Sequence, residues 1–185
     1  SYAAAGAEIA KQMHEYKSPF TLKKVCADRN TWLIGIGSAL AFMAVMSYIA
    51  SAIPTMIGYG YAPGFATGIF AVGGIMGIIG SFLFGVIDQK MGTKKAFLIY
   101  FVCIIIGFIF TLLMPRGAVF CWLAGIIIFA AQGALCNLLP SYVATKYGRW
   151  DYPSGYRVIG TVFEIGAGVG VMMIGIFQNA AVMYT

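Results

Sequence analysis

The sequence predicts an all-α membrane protein, a polytopic bundle of five transmembrane helices. Three observations carry that reading. The 185 residues are 61% hydrophobic and only 10% charged, whereas soluble domains run at roughly half apolar and a quarter charged. Five apolar stretches, residues 32–59, 65–87, 96–114, 118–139 and 158–177, match the length of about 20 residues needed to cross roughly 30 Å of hydrocarbon. Finally, the charges are one-sided. With the first 30 residues placed in the cytoplasm and the spans alternating, Lys11, Lys17, Lys23, Lys24, Arg29, Lys90, Lys94, Lys95, Lys146, Arg149 and Arg157 fall on the inner side, and Arg116 alone on the outer. That asymmetry orients helical membrane proteins. The expected organisation is a cytoplasmic connecting segment, 1–30, and a transmembrane helical domain, 31–185, in an inner or plasma membrane.

Residues 1–30 alternate charges at Glu8, Lys11, Glu15 and Lys17 and lack a short apolar core with a small-residue cleavage site, so they do not have the form of a secretory signal. The first span has Ser38, Ser47, Tyr48 and Ser51 as polar members and Pro54 near its outer end, where the missing donor kinks a helix. In the second span Gly64, Gly68, Gly73, Gly74, Gly77 and Gly80 include GxxxG spacings, which admit another helix at close range. Gly85-Val-Ile-Asp88-Gln-Lys90-Met-Gly92-Thr-Lys94-Lys95 then reads as a tight cationic turn. Its lysines anchor a cytoplasmic loop and its glycines permit the reversal. Asp88 at a helix end opposes the helix dipole and therefore requires a specific partner.

The third span is the most uniformly apolar and is expected to face lipid. The fourth ends in Gln132, Asn137 and Pro140. Residues 141–156, with Lys146, Arg149 and Asp151, are too polar to span and are expected to lie as a loop at the inner interface. The fifth begins at Arg157 and carries Glu164 among glycines.

Enzyme chemistry has little material here. His14 is the one histidine, and Cys26, Cys103, Cys121 and Cys136 show no CxxC pairing, so neither a metal site nor a Ser-His-Asp arrangement can be assembled. No cofactor, metal or nucleic-acid partner is expected, and the partners are the lipid bilayer and a small solute. Glu164 is the one acid inside a span, where a central charge costs about 3 kcal/mol. It is the leading candidate for substrate contact or proton coupling, against a bland reading as an inner-end ion pair with Arg157. Gln132, Asn137, Tyr48 and Ser51 are weaker cavity candidates, because amides and hydroxyls in spans also bond to neighbouring helices or to their own. Arg149 and Arg157 are expected to form inner-loop ion pairs.

Gly85, Asp88, Gly92, Lys94 and Lys95 resemble the inner-loop gating motif of the major facilitator superfamily of secondary transporters, with the first glycine one residue closer to the acid and the second one residue farther. The resemblance covers nearly the whole chain and is to the carboxyl-terminal half, the spans matching helices seven to eleven of twelve. It implies secondary active transport of a small solute by alternating access, as proton symport or solute antiport. It further implies a cavity lined by the first and fourth spans and a missing amino-terminal six-helix half, or a second copy, as partner. Gly92-Thr-Lys-Lys and Gly148-Arg149 look like the oxalate/formate and monocarboxylate branch, which implies an organic anion; that branch is expected to place a lysine where this chain has Glu164. The rival reading is a non-transporting helical subunit or scaffold that packs against partner spans.

Overall fold

The computed structural model describes residues 6, 9–11 and 16–183, with side chains to residue 176; Glu8, His14 and Glu15 lie outside the described residues. Every regular element in it is helical. A short helix α1 (Leu22–Ala27) leads into α2 (Arg29–Gly58), α3 (Pro63–Met91) and α4 (Thr93–Leu112), and a 3-10 turn (Met114–Arg116) precedes a helical run, Ala118–Met183. Among the described residues, four helices are long and apolar enough to cross a membrane: α2, α3, α4 and Ala118–Ile176.

The last of these is broken at Gly148, whose φ of 74° and ψ of 178° are not helical. Its arms are α5 (118–147) and α6 (149–183). Along α5, Phe129 stacks edge-on against Tyr48 while Tyr147 bonds to Thr31, so α5 runs antiparallel to α2. Along α6, Gly166 abuts Ala39 and Gly170 abuts Met43, so α6 runs parallel to α2. The chain therefore reverses at one residue. The loop expected over 141–156 is replaced by helix on both sides of Gly148, because a single left-handed glycine makes the turn without spending further residues.

A second reversal is built the same way. The cationic turn expected over 85–95 is mostly helix: α3 continues to Met91, Gly92 turns with φ 83°, and α4 begins at Thr93. Gly85 is a helical residue whose missing side chain would meet nothing.

Glycines set the two closest helix contacts. On α3, Gly73 receives the ring of Phe129, and Gly77 and Gly80 lie against the α5 backbone at Phe129, Ala130 and Gly133. On α6, Gly166 and Gly170 do the same against α2, and Ser47 donates to the Gly170 carbonyl at 2.9 Å. The small-residue spacing predicts close approach, and the contacts bear that out.

Helix α5 is the centre of the bundle, with Ala124, Ile128, Leu135, Leu138 and Val143 all fully buried. Against it α4 turns Phe97, Tyr100 and Ile104, while Leu98, Val102, Ile105, Ile109 and Leu112 stay exposed on its other side. An apolar outer face of that kind suits lipid and not water.

Candidate functional site

Helices α3 and α5 run parallel, and each carries a ladder at a spacing near four residues, which repeats along one helix face. On α3 the ladder is Gly73, Gly77 and Ser81, with Asp88 seven residues farther; on α5 it is Phe129, Gly133, Asn137 and Ser141. The glycine rungs close the contact, and the polar rungs bond across it. Asn137 Nδ2 donates to the Ser81 carbonyl at 3.0 Å and to Ser81 Oγ at 2.6 Å. Four residues farther along α5 and seven along α3, Ser141 donates its hydroxyl to Asp88 Oδ2.

Outside this seam the two helices open into a groove of about 760 Å³, lined by Gly77, Ser81, Phe82, Phe129, Gln132 and Asn137 among others. Its lining contains no charged residue. Gln132 and Asn137 thus share one wall, as two of the weaker candidates. Ser81 was missed as a candidate, yet it continues the Gly73, Gly77 stripe and is the polar group that Asn137 holds.

The other candidates lie elsewhere. Tyr48 is buried in the core between Phe108 and Phe129, its hydroxyl without a partner among the described residues. Ser51 donates back to the Ser47 carbonyl in its own helix at 2.7 Å. Neither lines the groove. Glu164 is exposed on α6 and borders a separate depression of about 540 Å³ with Tyr156, Arg157, Gly160, Thr161 and Ile165.

Asp88 does not meet the lysines of its own turn. Among the described residues its partner is Ser141, 53 residues later, and its second oxygen, Oδ1, is buried with no partner. An orphaned buried acceptor costs about 1–3 kcal/mol. The requirement for a specific partner is therefore met within this chain for one of the two carboxylate oxygens.

The lysine-rich end is clamped by groups that the sequence did not single out. Lys146 pairs with Asp28, the sole ion pair among the described residues, and stands over the rings of Tyr142 and Tyr147 at 5.7 and 5.4 Å. The Lys146 ammonium holds the Asp28 carboxyl below its usual range. Among the described residues the ion pairing expected of Arg149 and Arg157 is not found: Arg149 lies over the Trp150 ring at 5.5 Å, and Arg157 borders the Glu164 depression. Both side chains are exposed. Asp151, 2% exposed, instead accepts hydrogen bonds from Tyr16 at 2.7 Å and Ser18 at 2.5 Å, binding the connecting segment to the start of α6.

A family model described as Major Facilitator Superfamily matches residues 4–171. The chain belongs to the major facilitator superfamily. It is accordingly a multi-pass membrane transporter, whose family moves solutes and does not catalyse covalent change. No curated protein and no solved structure gives a significant match. For a superfamily member, the groove is the feature of interest: a concave wall carrying three neutral polar side chains in an otherwise apolar bundle.

Proposed function

We propose that this chain forms the carboxyl-terminal half of a secondary transporter, with α2 to α6 as five spans and the lysine-rich end in the cytoplasm. The groove between α3 and α5 is its share of the solute pathway. The carrying observation is the Ser81, Gln132 and Asn137 wall, because uncharged donors and acceptors facing an open apolar groove can orient a small polar solute without trapping it. The reversal at Gly148 supports five spans, and the basic end supports the orientation.

Purified full-length protein in liposomes tests this directly. Solute uptake should saturate, and Asn137→Leu, which removes the amide from the groove and its bond to Ser81, should raise KM by about tenfold, the value of one good hydrogen bond. An Asn137→Leu protein with unchanged KM would remove the groove from the pathway.

The second half of the reading concerns Asp88, Gly92, Lys94 and Lys95, which we assign to the gate at the cytoplasmic end. An acid with one oxygen bonded and one orphaned has more to gain in another conformation, where Oδ1 can be met by a group of the other half. Asp88→Asn keeps the shape and removes the charge. A shift of about 1.4 kcal/mol between two states changes their ratio tenfold, so uptake should fall by about that factor while KM holds. Equal uptake by Asp88→Asn and wild type would leave Asp88 with a packing role only.

A further inference from the structure

Away from the groove, the lysine-rich ends of three helices enclose a cavity of about 350 Å³. Asn30 of α2, Thr93 and Lys94 of α4, and Tyr142, Thr145 and Lys146 of α5 line it. Every one of these side chains can donate a hydrogen bond, two are cationic, and the lining contains no acid. Asp28 approaches from outside the lining and is occupied by Lys146. Lys94 makes no ion pair among the described residues and is exposed. Thr93 and Lys94 also open α4, whose first turn has no acid and whose cap residue, Gly92, has no side chain to offer. The partial positive charge of that helix end adds to the two ammonium groups.

We propose that this cavity binds a phosphate group. Its volume falls at the small end of ligand pockets, which run from about 300 Å³ upward, and suits a tetrahedral anion with a short substituent better than an extended organic acid. Ammonium, hydroxyl and amide donors from three helices converge on it, and charge-assisted bonds to an anion are the strong ones. Leu98 and Val102 follow Lys94 at four-residue spacing, hence on one face of α4, and are exposed and apolar. A phospholipid whose chains lay along that face could present its headgroup to the cavity, and free phosphate could reach it from the aqueous side. Bound there, the group would tie α2, α4 and α5 together at one end and compete with Asp28 for Lys146.

Thermal unfolding of the full-length protein, delipidated in neutral detergent, provides the test. Titrations would use phosphatidylglycerol, dioleoylglycerol as the same lipid type without phosphate, and sodium phosphate against sodium chloride at equal ionic strength. Phosphatidylglycerol should raise the midpoint and dioleoylglycerol should not. Lys94→Gln should weaken the apparent affinity about tenfold, as expected for loss of one charge-assisted contact. Lys95→Gln, the same loss of charge one residue on but outside the lining, should leave affinity within about twofold. Stabilisation by sodium phosphate as well identifies free phosphate as a sufficient ligand, whereas response to phosphatidylglycerol alone identifies the headgroup. The proposal is overturned if neither phosphate source stabilises, if dioleoylglycerol does so equally, or if the two lysine variants weaken binding alike.

Discussion

Replacing Gly133 by alanine is expected to force α3 and α5 apart and to lower stability by about 1–3 kcal/mol, the range for overpacking a close contact. The added methyl would fall within the contact radius of the Gly77 carbonyl oxygen and its carbon. Backbone cannot swing aside as a flexible side chain can, so the helices must move. Gly74 supplies the control: it lies on the same pair of helices, but a methyl there meets nothing within 4 Å. Gly74→Ala should be neutral or slightly stabilising, since alanine is favoured over glycine in helices by up to about 1 kcal/mol. Thermal unfolding of the two full-length variants in the same detergent decides the matter. A Gly133→Ala protein that melts with Gly74→Ala would mean that the α3–α5 seam is not closely packed.

The second large effect is expected at Glu164. Glutamine there keeps the shape and most of the hydrogen bonding of the side chain but can neither carry charge nor exchange a proton. If Glu164 couples transport to protons, Glu164→Gln should lose the acceleration of uptake by a pH gradient, by about tenfold or more, while exchange of solute without a gradient continues. The placement supports this: Glu164 is exposed on α6, in a depression with Arg157 at one end, and an ionised acid within a span is costly unless it has work to do. Accumulation by Glu164→Gln equal to wild type, driven by the same gradient, would reduce Glu164 to an electrostatic partner of Arg157.

Much of the bundle was legible because hydropathy, glycine spacing and charge sidedness each depend on local composition. The α3 stripe of Gly73, Gly77 and Gly80 announced a close contact, and the contact exists. The groove candidates Gln132 and Asn137 were found because amides are conspicuous in an apolar run. Partner identity was not legible. Ser141 lies 53 residues from Asp88, and Lys146 lies 118 positions beyond Asp28 in the sequence; pairing at that distance depends on helix register, which composition does not encode. The signal that could have helped was the ladder Phe129, Gly133, Asn137, Ser141, read beside that of α3. The breadth of the two reversals was misjudged for a different reason. Polar, glycine-bearing sequence reads as loop, but Gly92 and Gly148 each turn the chain alone, and their charged neighbours are the ends of helices.

Those two glycines leave almost no slack at the lysine-rich end. A flexible loop would let α3 slide along α4, or α5 along α6, and absorb any movement imposed on one of them. With a single residue at each reversal, a push on one helix end is handed to its neighbour. Across the seam, α3 is held to α5, and α6 to α2, by backbone-to-backbone contact. Displacement applied at the Asp88 end would therefore be felt by the groove wall as motion of one lever, and not as rearrangement of separate helices.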